Sequence, residues 1–191
     1  MVLLPLDYLN GILAIGAIVI AGLIGVHILS KFFTFKRQEF LFIGLLAFLI
    51  TEPWWPAASS FIVALFNAGE GLPPEIYFII GNVLIPVAIG IWLIAFTDLM
   101  QMGNKGKKII LTGAIIYGLI FEFLFFHLLF VDPTYIGELN GPIDVEYTGF
   151  VMAYLFSIVG IIWITGVIFG KQSLKSENPE IKLRGKLIIL A

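Results

Sequence analysis

The chain has 191 residues, of which 60% are hydrophobic and only 13% charged, and its mean hydropathy is +1.04. Globular domains carry about 45–50% apolar and about 25% charged residues, so a water-soluble domain is excluded, and each membrane crossing consumes about 20 apolar residues, which leaves no length for a separate soluble domain after five crossings. Zero cysteines exclude a disulfide framework and thiolate chemistry, and the net charge of −2 offers no basic surface for nucleic acid.

In chain order, apolar runs of spanning length predict helix one at about 9–33, helix two at about 39–66, helix three at about 75–101, helix four at about 108–131 and helix five at about 147–170. The stretch before helix one, MVLLPLDYLN, has no basic residue, unlike the start of a cleaved secretory signal. Long uninterrupted apolar stretches such as residues 11–25 lack the alternation of a barrel wall. The expected fold is therefore all-α: a polytopic integral membrane helical bundle forming one transmembrane domain over residues 1–191, with five spanning helices and the start of a sixth.

All eleven Lys and Arg residues fall in three places: Lys31, Lys36 and Arg37; Lys105, Lys107 and Lys108; and Lys171, Lys175, Lys182, Arg184 and Lys186. Asp7, Glu70, Glu75, Asp132, Glu138, Asp144 and Glu146 gather on the alternate connections. The positive-inside rule then puts the amino terminus outside and residues 171–186 in the cytoplasm, within a cell membrane. After that basic segment an apolar run, Leu187–Ala191, begins and stops; it is expected to open a sixth helix cut by the end of the chain, the alternative being a short amphipathic helix on the inner leaflet. The segment SLKSENPEIKLRGKLIILA, preceded by five spans and an outside amino terminus, resembles the middle of the seven-helix membrane regions of archaeal multi-pass proteins, some of which are sensor-kinase input domains. The resemblance implies an architecture and a sensing role, and it supplies no site residue.

Two carboxylates lie deep in this bundle, Glu52 in helix two and Glu122 in helix four, each roughly 20 Å from the cytoplasmic boundary by residue count. No basic residue lies at that depth to pair with either, so each is expected to face the bundle interior, a cavity or a partner. If they face each other they share a proton; otherwise they are two protonated groups bonding between helices. Pro53 and Pro56 in the string Thr51-Glu-Pro-Trp-Trp-Pro56, and Pro86 in helix three, are expected helix kinks because proline cannot donate to the carbonyl four residues earlier. Trp54 and Trp55 read either as an aromatic pocket wall or as part of the outer aromatic belt. Asn82 reads as interhelical glue, and His127, about 140° around its helix from Glu122, is expected to address a neighbouring helix instead of sharing a face with it. Two histidines at opposite depths make no metal site, and no cofactor or nucleophile–base motif is present, so no catalytic residue is named.

The leading expectation is a membrane-embedded sensor or ligand-binding module with a pocket between helices two, three and four lined by Glu52, Trp54, Trp55, Asn82, Glu122 and His127. The alternative is a proton- or cation-coupled transporter or channel subunit, as a homo-oligomer, using Glu52 and Glu122. The partner expected in either case is the lipid bilayer. The acidic outer loop at 132–146 reads as an ordered, solvated connection.

Overall fold

The computed structural model describes residues 3–175 and 177. It is 79% helical and contains five helices long and apolar enough to cross a membrane. The first, α1 (Pro5–Phe35), opens with proline in its first turn and with the Asp7 carboxylate accepting the Leu4 N–H at 2.7 Å. It ends where Lys36 turns left-handed (φ 55°) and donates its N–H to the Phe32 carbonyl.

The next two spans are each interrupted. In the second, α2 (Gln38–Leu49) gives way to a 3₁₀ turn at Glu52–Trp54 and restarts as α3 (Trp55–Phe66). In the third, α4 (Pro74–Asn82) breaks at Val83 and Leu84 and restarts as α5 (Ile85–Leu99). Pro53, Pro56 and Pro86 each fall in the first turn after a break, where a missing N–H costs nothing. The fourth and fifth spans, α6 (Asn104–Val131) and α7 (Gly149–Ser173), are continuous. These bounds shift the expected ones by a few residues only. The basic segment from residue 178 and the apolar run 187–191 lie outside the described residues.

α1 runs antiparallel to the second span at backbone contact. A β-carbon on Gly25 would sit 2.8 Å from the Gly44 carbonyl, so only glycine permits this crossing. Further out along the same pair, Trp55, Ile15, Ile18 and Val19 border one small apolar cavity, and Tyr8 packs edge-on against Phe61. α4 to α7 share a core of Phe78, Ile89, Phe121, Phe125, Leu129 and Val151. Between α6 and α7 that core is aromatic, with the Phe121 and Tyr154 rings stacked 3.8 Å apart. Interhelical hydrogen bonds join Trp92 Nε1 to Thr165 (2.8 Å) and Tyr117 to Ser157 (2.6 Å).

The fourth connection departs from expectation. Instead of a solvated loop, residues 132–148 fold into a 3₁₀ turn (Pro133–Tyr135) and a two-stranded antiparallel hairpin, β1 (Gly137–Leu139) and β2 (Val145–Tyr147). The hairpin docks on the end of the bundle opposite the lysines. Ile136 and Ile143 are buried under it, Tyr77 donates its hydroxyl to the Ile143 carbonyl (2.9 Å), and Ser60 donates to the Pro142 carbonyl while accepting the Leu72 N–H. Gly71 lies so close to Pro142 that a β-carbon there would overlap its carbonyl. Apolar burial and satisfied backbone groups together explain why this segment is ordered.

Around the perimeter the helices leave large apolar side chains uncovered, among them Ile12 and Leu23 on α1, Leu119 and Phe123 on α6, and Phe156 and Trp163 on α7. Water does not tolerate such a belt on a monomer; a hydrocarbon solvent does.

Candidate functional site

The two helix breaks face each other across the bundle, and the polar side chains collect between them. Glu52 enters the 3₁₀ turn of the second span and is 1% exposed; its Oε1 accepts the Leu84 N–H at 2.5 Å, a donor released by the break in the third span. One interruption thus satisfies the other. Asn82, the last residue of α4, is fully buried and donates through Nδ2 to the Phe78 carbonyl (2.8 Å) and to the Tyr147 hydroxyl (3.1 Å), which the hairpin lowers into the bundle. Burial pushes the Tyr147 phenol pKa up, with the Asn82 hydrogen bond opposing.

Three buried polar atoms of this region have no hydrogen-bond partner among the described residues: Glu52 Oε2, Asn82 Oδ1 and the Tyr154 hydroxyl. An unmet buried polar atom costs about 1–3 kcal/mol, so three in one neighbourhood are a substantial unmet demand. Glu52 and Asn82 present acceptors and Tyr154 can donate, so a proton, water, a small cation or a polar ligand would answer it. Tyr147 lies within electrostatic reach of Glu52, and Tyr154 within reach of both Glu52 and Glu122.

The six expected pocket residues do not line one cavity. Glu52 and Asn82 are the interior pair. Glu122, level with the break in the third span, is half-buried and borders the outward-facing cleft between α5 and α6; it stands within electrostatic reach of Glu52 but forms no hydrogen bond with it. Trp54 is 49% exposed on the perimeter, and Trp55 turns toward α1, donating to Thr51 Oγ1 (3.0 Å) and packing on Phe48. Neither tryptophan walls the Glu52 site, and α3 continues for three more turns beyond them. Trp54 thus stands on the outside, while Trp55 stays half-buried against Phe48.

His127 is corrected as well. It addresses no neighbouring helix; it is exposed, lies parallel to the Phe123 ring and borders the same surface groove as Glu122. Only the face of α6 bearing Gly118, Phe121, Phe125 and Leu129 is covered, so two residues 140° apart both flank its open side. Among the described residues, no group of three His, Asp or Glu could hold a metal.

Sequence reading did not single out Tyr147, Ser60, Tyr77 or the Leu84 amide. Their partners are distant in sequence, as in the Ser60–Pro142 pair, and no local pattern announces them. No protein-family model, curated protein or solved structure matches the chain.

Proposed function

We propose that the chain crosses a cell membrane five times, amino terminus outside, and works as a membrane-embedded sensor or ligand-binding module. Its responsive centre is the Glu52–Asn82–Tyr147–Tyr154 cluster under the outer hairpin. The carrying observation is the set of three unpartnered buried polar atoms at a double helix break. Keeping a carboxylate and broken backbone at this depth costs free energy that a merely structural bundle has no reason to spend. The hairpin supports a receptor over an open pore, because Tyr147 ties the outer cap directly to Asn82. Occupancy of the cluster would therefore alter how the hairpin sits. The resemblance to archaeal seven-helix sensor regions belongs to the same proposal.

A variant keeping Trp55 as its only tryptophan (Trp54, Trp92 and Trp163 each →Phe) tests this, since the indole reports on Thr51, the neighbour of Glu52. In nanodiscs its emission should respond to small cations or to pH between about 5 and 8, and Glu52→Gln should abolish the response. Emission indifferent to all of them rejects the reading.

The second reading, a proton- or cation-coupled transporter or channel subunit, is favoured by one observation: Glu52, Tyr154 and Glu122 lie within mutual electrostatic reach across the break. Ion-coupled flux in reconstituted vesicles, lost in Glu52→Gln, would select it; vesicles silent with every ion would select the sensor.

A further inference from the structure

The break in the third span has an outer side as well. Facing away from Glu52, a cleft of about 510 Å³ runs between α5 and α6. From Val83 to Ile94 it extends about 16 Å along α5 at 1.5 Å per residue. Its walls are Pro86, Val87 and Gly90 on one side and Ile115, Gly118 and Leu119 on the other, and its open side faces the same surroundings as the uncovered apolar belt. Gly90 has nothing within 4 Å of where a β-carbon would stand, whereas a β-carbon on Gly118 would sit 3.0 Å from Pro86, so the cleft is a groove open at Gly90 and floored by the Pro86–Gly118 contact.

One ionisable group borders it. Glu122 stands at its outer end, and among the described residues no hydrogen bond or ion pair reaches that carboxylate. An ionised carboxylate accepts and does not donate, and among the described residues no lysine or arginine borders the cleft. An occupant must therefore bring the positive charge and the N–H groups itself, and must be apolar below them.

We propose that this cleft takes a single-chain amphiphile bearing one protonated amine, drawn from the bilayer, with its ammonium on Glu122 and its chain lying along Val87, Gly90 and Ile94. Charge complementarity selects the amine over ordinary lipids. A phospholipid would bring a phosphate against a carboxylate, and a neutral chain would leave Glu122 unmet. The open position at Gly90 supplies the width, and the groove ends near Ile94, which limits the chain length.

The probe is an alkylamine of about twelve carbons, matched to the ~16 Å cleft, with a dansyl group on its far end, added to protein in phosphatidylcholine nanodiscs. Energy transfer from tryptophan reads binding, and the matching alcohol and carboxylic acid serve as comparators. The amine should bind saturably and at least about tenfold more tightly than either comparator, and Glu122→Gln should remove that preference. Gly90→Leu, which meets no neighbour, should fill the cleft and lower amine affinity by a similar factor without impairing folding, whereas Glu75→Gln at the outer surface should leave binding unchanged. Non-saturable partition equal to that of empty nanodiscs, equal binding of amine and alcohol, or binding indifferent to Glu122→Gln would each overturn the proposal. None of these outcomes depends on the Glu52 cluster.

Discussion

Glu52 is held by one bond and lacks another, which makes an isosteric and a truncating substitution informative together. Glutamine keeps an oxygen for the Leu84 N–H and removes the carboxylate, so Glu52→Gln should unfold at or above the temperature of the parent chain in detergent. Alanine leaves the Leu84 N–H unanswered and should cost about 1–3 kcal/mol in the same melt. If glutamine proved as damaging as alanine, the carboxylate itself would be structural, and the centre would have lost its claim to function. Tyr147 offers a second handle, through pH. Burial raises its phenol pKa in the fold, so its contribution is fully present below the unfolded value of about 10 and is lost as pH rises through the raised folded value. The hairpin should therefore loosen at strongly alkaline pH, with tyrosinate absorbance rising in step. Tyr147→Phe, which keeps the ring but takes away the acceptor for Asn82, should flatten that dependence.

At the scale of elements, the hairpin is held down by a few groups that can be removed one at a time. Ser60→Ala strips a bond from both the Leu72 amide and the Pro142 carbonyl, and Gly71→Val drives a side chain into that carbonyl. Either change should speed hydrogen exchange of residues 137–147 several-fold while α5 and α6 stay protected; uniform loss of protection would mean that the hairpin is not a separate unit. The elements also divide by what their residues disclose. Helix existence and the two breaks were legible, because a span needs a long apolar run and Pro53, Pro56 and Pro86 forbid a continuous hydrogen-bond ladder. Equal depth of Glu52 and Glu122 was legible too, since rise per residue is constant and the contacts set Leu84 beside Glu52 and Pro86 beside Gly118. The direction of each side chain was not. Beside one 3₁₀ turn Trp54 is exposed and Trp55 half-buried, and strands of three residues built on Gly137 and Val145 carry too little pattern to be told from loop. The consequence fell on the site: Glu52 and Asn82 are both buried beside the break, whereas Trp54 and His127 are exposed and Trp55 packs on Phe48.

For the whole molecule the question is which end faces the cytoplasm, and the charge distribution answers it only through an argument about insertion. Lys31, Lys36, Arg37, Lys105, Lys107 and Lys108 share one end with Lys171 and Lys175, while Glu70, Glu75, Asp132, Glu138, Asp144 and Glu146 share the other. Two acidic residues at the basic end are answered locally, Asp98 by Lys107 and Glu39 by Arg37 at 2.9 Å. Short connections obey the lysine and arginine bias and are nearly indifferent to acidic residues, so the proposed orientation puts the basic end inside. A chain without cysteine makes the test direct. Single cysteines at Glu70 and Glu138, both exposed at the acidic end, should react with an impermeant maleimide added to intact cells; cysteines at Gln38 and Asn104, exposed at the other end, should react only after permeabilisation. These four positions leave every lysine and arginine in place, so the orientation signal is not disturbed by reading it. Labelling of Gln38 and Asn104 from outside, with Glu70 and Glu138 silent, would invert the molecule: the hairpin would then close the cytoplasmic end, and a response at the Glu52 cluster would have to be driven from within the cell. Mixed labelling within either pair would break the alternation of spans itself, because α1 through α7 allow no arrangement in which two connections at one end lie on opposite sides of the same bilayer.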